Sequence, residues 1–569
     1  MRFGIFYEHQ MPRPWEDGAH EKLLRDALEQ VELADRVGFD YVWEVEHHFL
    51  EEYSHSSAPE VFLAAASQRT ERIRLGHGIV QLPPAFNHPA RIAERAATLD
   101  LISGGRVELG TGEASSQAEL GGFGVERDQK RAQWEECLDA LARMFVEEPF
   151  AGLDGQFVRM PPRNVMPKPK QRPHPPLWVA CSRRDTILMA ARKGLGALSF
   201  SFVEPEAANE WVDEYYALIA SDECVPGGFS VNANFAVVLP MMLHPEEAVA
   251  IERGIDGAHF FGYSLAHYYV FGDHRPGVTN VWEEFLANRD ERGFARSIVT
   301  PDDAPLGVKL LQEGLGSLRG AIGTPEQVHD LCARYEAAGV DQVIFVLQAG
   351  KNRHEHICES IELFGSEVLP RFAGEAEARE AAKRERLAGA VEAALARREP
   401  PRTLDDEYVI APQDEPRPAY ADAADGSLGD RARAAVESAF TSFVHGRSDE
   451  QLDRFVGTGP GLRLIFKGME NAFVPDAARG FKGEIFYDLR ASRGPQPWTV
   501  AIDGERAVAE PREASSPALT LHADVPVFVR IVAGDLDPMR AMMDERLVVE
   551  GDLALAGRLD EIFGQPKRT

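Results

Sequence analysis

Trp43-Glu44-Val45-Glu46-His47-His48-Phe49 runs an apolar alternation into adjacent carboxylate and imidazole groups and closes on an aromatic ring. The alternation over Asp40–Val45 reads as a strand, and the polar residues after it stand where that strand ends. Upstream, Leu24, Leu28, Val31 and Ala34 share one helical stripe that stops at Gly38, a residue suited to a helix C-terminus. Before that stripe lies another strand, Arg2–Tyr7, so the stretch completes one β-α-β unit. Polar groups at the carboxyl ends of such strands line the chemistry of a parallel barrel, and histidine is the side chain most easily moved across neutral pH.

The unit repeats. Arg72–Val80 reads as a strand, followed by a helix that starts at Asn87-His88-Pro89, turns Ile92, Ala96, Leu99 and Ile102 inward, and ends at Gly104-Gly105. Arg106–Gly110 is the next strand. Further pairs join Leu177–Ala180 to the helical run after Ser182, Ala197–Phe200 to the run after Pro205, and Gln342–Val346 to the run reaching Leu369. This order predicts an α/β protein whose residues 1–372 form a (β/α)8 TIM barrel rather than an open sheet. The composition changes near Gly374. Residues 373–427 read as a linker, first an Ala-, Glu- and Arg-rich solvated helix to about Arg398, then an extended stretch from Pro400-Pro401 to Pro418. Residues 428–569 read as a separate α+β domain. Its expected elements are a helix over Arg431–Phe443, strands at Trp498–Ile502 and Leu519–Ala523, and helices around Phe528 and Leu553–Phe563.

Composition narrows the function. With 91 acidic against 61 basic residues in 569, a net charge of -30 argues against nucleic acid and anionic membranes as partners. The five cysteines are an odd, scattered set without a Cys-x-x-Cys pair, which fits neither a disulfide framework nor structural zinc. No apolar run reaches membrane-spanning length and the N-terminus does not read as a signal peptide, so a cytoplasmic protein without membrane insertion is expected. No metal site is expected either: the spacing of His354-Glu355-His356 and Cys358 is not that of a zinc motif.

Several strand ends carry glycine. Gly76-His77-Gly78 lies inside a strand, where glycine weakens the ladder unless a ligand or backbone approaches closely, and a planar ring could pack there. Gly110-Thr111-Gly112 opens the loop Glu113-Ala114-Ser115-Ser116, which suits a ligand or a tight turn equally. The aromatic stretch His259 to Phe271, with Phe260, Ser264, His267 and Tyr268, reads as core or as the wall of a substrate pocket.

In their order, Glu46-His47-His48-Phe49, Gly78 to Pro83 with His88-Pro89 beyond, Leu99-Asp100 before Gly105-Arg106, Phe123-Gly124 before Arg131, Gly323-Thr324-Pro325-Glu326, and Leu363-Phe364 to Pro370 resemble the bacterial luciferase-like flavin-dependent monooxygenases. The resemblance implies a barrel that holds reduced FMN and uses O2 on a hydrophobic organic substrate, by Baeyer–Villiger or hydroxylation chemistry. It makes His47 the catalytic histidine, acting as general base or hydrogen-bond partner, with Glu46 orienting it. It places the cofactor on Gly78, Gly110, Thr111, Gly112, Arg131, Ala180, Cys181, Ser182 and Arg183. Ser182 would cap a helix, and one of Arg183 and Arg184 would reach the phosphate. Glu113 departs from the family pattern, since a carboxylate there repels a phosphate. No nicotinamide fingerprint is present, so a separate flavin reductase would supply the reduced cofactor. Within the same superfamily F420-dependent hydride transfer is the alternative, and a non-catalytic lipid-binding or scaffolding role is a third. Analogy also suggests a homodimer.

The tail resembles the sterol carrier protein 2 domain over about 430–566, through Ala518-Leu519-Thr520-Leu521-His522-Ala523-Asp524, Phe528, Ala533-Gly534 to Pro538, and Arg546 to Leu553 with Ile562-Phe563. The resemblance implies an apolar tunnel for a lipid, for which Phe528, Ile531, Val532, Met539, Met542 and Met543 are candidate lining residues. The same residues could equally form an ordinary core.

Overall fold

The computed structural model describes residues 1–199, 205–289, 320–404, 408–410 and 440–563, apart from 442. The chain divides into two compact units, Met1–Asp406 and Glu407–Thr569. In the first, eight parallel strands pair in sequence order: β1 (Arg2–Tyr7), β2 (Tyr41–Val45), β3 (Arg74–Gln81), β4 (Val107–Gly112), β5 (Leu177–Cys181), β6 (Gly196–Ser199), β7 (Phe235–Leu243) and β8 (Gln342–Gln348). The barrel closes where Arg2 of β1 pairs with Gln342 of β8. Helices Ala19–Val37, Pro59–Ser67, Pro89–Ile102, Lys130–Val146, Arg184–Arg192, Pro205–Ile219, Glu247–Ala266, Pro325–Ala337 and His354–Leu363 follow the strands in the expected alternation. The sequence reading leaves β7 unnamed. Its nine residues are all buried and unbroken by a polar position, and Pro240 sits within them, so it lacks the alternation of a half-buried strand and carries a residue rare inside a sheet. Phe200, assigned to β6 from the sequence, lies outside the described residues.

Two tryptophans fill the barrel. Trp43 and Trp178 meet edge to face at 5.3 Å. Opposite each lies a glycine: a Cβ at Gly76 would come within 2.3 Å of the Trp43 ring, and one at Gly196 within 2.3 Å of Trp178. A planar ring does pack on Gly76, and it is the protein's own indole. Each buried indole N–H finds an acceptor, Trp43 in Gln342 at 2.8 Å and Trp178 in Glu108 at 2.6 Å. The interior is therefore packed, which leaves the carboxyl ends of the strands for chemistry.

Helix Ala376–Arg397, expected as part of a solvated linker, packs on the barrel. Lys383 Nζ donates to Asn234 at 2.6 Å and Asp341 at 2.9 Å, Arg397 donates to the Cys224 carbonyl at 2.9 Å, and Leu387 and Ala394 are buried. Leu387, Ala390, Val391, Ala394 and Leu395 recur at helical spacing on its less exposed side, and the long side chains of Lys383 and Arg397 add polar anchors to that face.

In the second unit a mixed sheet is ordered β11-β10-β9-β12-β13, with β9 (Gly483–Ala491), β10 (Gly494–Ile502), β11 (Ala507–Glu510), β12 (Pro517–Asp524) and β13 (Leu547–Gly551). The strands and helices expected at Trp498, Leu519, Phe528 and Leu553 are present as Gly494–Ile502, Pro517–Asp524, Val525–Val532, Leu553–Ala556 and Leu559–Ile562. Most of the helix expected over Arg431–Phe443 lies outside the described residues, as does the stretch from Ala411 through Pro418. No helix among the described residues is long and apolar enough to cross a membrane.

Candidate active site

β2 ends at Val45, and the next three residues leave the barrel rim as a bundle of ionisable groups. The chain then turns through Phe49 at φ +65°, while the His47 N–H donates to the Ser56 carbonyl at 2.9 Å. β3 bulges beside it, its register against β2 shifting between Glu44 and Val45, and Gly78 lies at that shift. Bulges of this kind re-aim side chains next to active sites.

His47 is held between two carboxylates. Its Nδ1 is 2.9 Å from Glu119 Oε1 and its Nε2 3.7 Å from Glu8 Oε2. Tyr53 and Tyr269 stand edge-on to the imidazole at 5.7 and 6.4 Å. Burial would lower the imidazole pKa, but the charges of Glu119 and Glu8 outweigh it and push it up to about 9. Glu119 itself collects four donors. Oε1 pairs with His47 and accepts from the His48 N–H at 3.1 Å and Gln81 Nε2 at 2.7 Å, and Oε2 accepts from the Ser116 hydroxyl at 2.6 Å. Burial alone would raise its pKa, yet the His47 charge and these hydrogen bonds hold it below the usual carboxylate value. Glu8 has fewer donors. Burial drives it up to about 7, against the opposing pull of His47 and of the Tyr53 hydroxyl, which donates to Oε1 at 2.9 Å.

Glu46, expected to orient His47, serves other partners. It lies 3.2 Å from His48 Nε2 and accepts from the Gln81 N–H at 2.8 Å and Asn87 Nδ2 at 2.8 Å. Successive side chains leave opposite faces of the chain here, so Glu46 and His47 diverge. His48 packs instead among Phe49, Phe86 and Phe123, at 6.0, 6.2 and 5.0 Å.

The same period of two divides the cofactor candidates. Gly78, Gly110, Gly112 and Ala180 fall on the inward register, whereas Thr111 and Cys181 face the helices. Thr111 donates to the Trp178 carbonyl at 3.0 Å and accepts from Trp134 Nε1 at 3.1 Å, so both functions of its hydroxyl are used in the outer core. The Cys181 thiol is fully buried, and burial pushes it up to about 12. Added carbons at Gly110 and Gly112 would meet the His77 carbonyl oxygen at 2.2 Å and Ile79 at 2.6 Å, so both glycines serve close packing.

Basic groups gather beyond β4. Arg131 makes a forked contact to Glu113 Oε1, at 3.0 Å from Nε and 2.6 Å from Nη2. Lys130 Nζ donates to the Ala114 carbonyl at 2.7 Å and lies 3.8 Å from Glu113, while Arg127 donates to the Ser115 carbonyl at 3.2 Å. Burial lowers the Lys130 pKa against the pull of the Glu113 charge, and repulsion from Arg127, Arg183 and Arg131 adds to the lowering. Arg184 turns outward to Glu214, with Nε 2.9 Å from the carboxylate. Ser182 does not cap the following helix. That place is taken by Arg183, whose carbonyl accepts from the Thr186 hydroxyl at 2.6 Å.

The substrate candidates are mostly enclosed. Phe260 is fully buried, edge-on to Trp282 at 4.9 Å, and Ser264 donates to the Phe260 carbonyl at 2.7 Å and accepts from Gln10 at 3.1 Å. His267 is buried beside Glu284 at 3.3 Å, and burial pushes its ring down to about 4. Tyr268 lies 6.4 Å from Tyr53 and accepts from the Glu52 N–H at 3.4 Å. The helix carrying Phe260 runs into a π-helical turn, His267–Phe271, which sets Tyr269 over His47.

Residues 1–342 match the family model of the luciferase-like monooxygenases. The chain belongs to that family. Limonene 1,2-monooxygenase of Rhodococcus erythropolis is 36% identical over 373 residues, spanning 64% of this chain and 85% of that protein. The oxygenase component of the flavin-dependent trigonelline monooxygenase of Acinetobacter baylyi is 25% identical over 385 residues, 65% of this chain and 96% of that protein. The crystal structure of monooxygenase RslO1 from Streptomyces bottropensis superposes with a TM-score of 0.51 at 26% identity, covering 65% of this chain and all of that one. Against one further curated relative, from Sinorhizobium fredii, the chain spans about half of the relative's length, 48%.

Residues 468–564 match the SCP-2 sterol transfer family, so this luciferase-like chain carries a second family's domain C-terminal to the barrel in sequence. There the candidate lipid-lining residues separate. Phe528 stacks on Phe466 at 5.3 Å, which in turn stacks on Trp498 at 4.5 Å, so Phe528 belongs to a filled core. Val532, Ile531 and Met542 are half-buried against that core, while Met539 and Met543 are 65% and 83% exposed and line no interior.

Glu8, Tyr53, Glu119 and Tyr269 were not singled out from the sequence. Ser116-Gln117-Ala118-Glu119 has the spacing of a helix capping box, a signal that finds Glu119 at a helix start but not its partner.

Proposed function

We propose that this chain is the oxygenase of a two-component flavin monooxygenase, acting on a hydrophobic organic substrate with reduced FMN from a separate reductase and O2. The observation that carries the reading is the clamped imidazole at the barrel mouth, His47 between Glu119 and Glu8, with a basic cluster around Arg131 at the start of the helix Lys130–Val146 that follows β4. That the trigonelline relative is named an oxygenase component supports the reductase as a partner.

The donor set fits a phosphate-bearing cofactor. The charges of Arg127, Lys130, Arg131 and Arg183 act on one another around the carboxylate of Glu113, and an arginine fork suits a phosphate as well as it suits Glu113. Bound there, reduced FMN would supply the activation of O2. The protein's part is to orient, to exclude water and to hold charge. With its pKa near 9, His47 is a cation at neutral pH, so it donates from Nε2 while Glu119 fixes Nδ1–H, and it stabilises negative charge rather than abstracting a proton. Tyr53 and Tyr269 wall the imidazole from solvent. In this reading the SCP-2 domain binds or presents the apolar substrate.

The test is oxygen uptake with reduced FMN beside hydride transfer with reduced F420 on one preparation. The proposal requires FMN-dependent uptake that His47→Ala diminishes. Turnover with F420 alone would assign the hydride-transfer alternative, and retention of acyl lipid without binding of either cofactor would assign a lipid-binding role.

A further inference from the structure

Glu8 stands immediately past the end of β1 and is 2% exposed. Its Oε1 accepts from the Tyr53 hydroxyl, but Oε2 has no hydrogen-bond partner among the described residues and lies 3.7 Å from His47 Nε2. The two carboxylates flanking the imidazole are thus unequal: Glu119 is saturated by four donors and Glu8 by one. One imidazolium compensates one buried carboxylate. A second carboxylate so placed either bears a proton or stays a costly uncompensated charge.

We propose that Glu8 is the proton reservoir of this site, holding a proton on Oε2 and passing it to Nε2 of His47 whenever His47 gives its own Nε2 proton to a bound acceptor. In that step the Oε2–H bond breaks and a new Nε2–H bond forms. His47 remains an imidazolium, Glu8 is left a carboxylate, and no electrons move. Glu8 regains its proton from solvent when the acceptor leaves. The groups facing Glu8 are His47 and the hydroxyls of Tyr53 and Ser54, which favour its ionised form, Glu44, which disfavours it, and the hydroxyl of Tyr269. Glu44 is itself engaged by the Ser56 hydroxyl and lies 3.0 Å from His9 Nε2, so it does not compete for His47. Burial places Glu8 near 7, whereas the charges of Glu119 and Glu8 hold His47 near 9 against its burial, so around neutral pH the proton that exchanges is the one on Glu8. Glu8 therefore acts through His47, as a proton-supplying neighbour rather than a group that touches substrate.

The inference rests on placing chemistry at His47, but its test is read on the full-length protein without cofactor, so its failure leaves the flavin reading standing. Infrared difference spectra between about pH 5 and 9 should show a protonated-carboxyl band that titrates near neutrality and is missing in Glu8→Gln. Glu8→Asp should restore a titrating band. His47→Gln, which removes the facing cation, should move the band's midpoint upward by about one pH unit or more. A purely structural Glu8 gives no band in the wild type at pH 6, or a band untouched by Glu8→Gln, or a midpoint indifferent to His47→Gln, and any of these overturns the proposal. Circular dichroism establishes that each variant is folded.

Discussion

Glu119→Gln removes one charge while keeping the shape of the side chain, and its effect on His47 follows from the geometry. The imidazole lies 2.9 Å from Glu119 and is raised from 6.5 to about 9 against burial, with Glu119 the largest of the raising influences. Without it, burial and the remaining pull of Glu8 should leave the midpoint at or below its ordinary value, a fall of about 2.5 units or more, or at least about 3 kcal/mol. Removing one partner of a buried ion pair costs about 3–5 kcal/mol, so the two routes agree. The sign is fixed by linkage. A histidine whose folded pKa is raised contributes stability that is complete below about pH 6.5 and gone above about pH 9. The loss in Glu119→Gln should therefore be full near pH 6 and vanish as the pH climbs past 9. The assay is NMR titration of ring-labelled histidine, with His47→Gln assigning the resonance, beside denaturant melts across the same pH range. A His47 midpoint within about half a unit of wild type would refute the clamp.

Other outcomes follow from neighbouring contacts. Glu113→Gln frees the Arg131 fork, so reduced FMN should bind several-fold tighter, about 1 kcal/mol, in an anaerobic titration, and unchanged affinity would mean that Glu113 does not compete with the phosphate. Gly76→Ala drives a methyl into the Trp43 ring and should lose about 1–3 kcal/mol in denaturant melts without altering the barrel's circular dichroism. Lys383→Ala removes the ammonium from Asp341 Oδ1 and Asn234 Oδ1, and limited proteolysis should then cut within Ala376–Arg397 faster than in the wild type.

Much of the barrel was legible because helical stripes that end at glycine, at Gly38 and at Gly104-Gly105, lead straight into short apolar strands. β7 was hidden by an unbroken apolar run and by Pro240, since a fully buried strand loses the polar half of the pattern. His47 stood out as a polar residue at a strand end. Glu8, at the end of β1, satisfies the same rule as plainly, so it was open to the same reasoning. Glu119 was not, because its partner is 72 residues away and no local spacing links them. Thr111 and Cys181 were grouped with inward residues by motif order alone, although the period of two already assigned them to the opposite face. In the tail the methionines were grouped by chemistry, and a six-residue helix with one side to solvent left Met539 and Met543 outside.

The central claim is that the mouth bearing His47 and the Arg131 cluster holds reduced flavin. Anaerobic titration of the full-length protein with reduced FMN, beside Arg131→Ala, tests it most directly. Wild-type protein should bind one FMN per chain saturably, and Arg131→Ala should weaken that binding about tenfold or more. Wild-type protein that takes up no reduced FMN, or a variant that binds it as tightly as wild type, would contradict it.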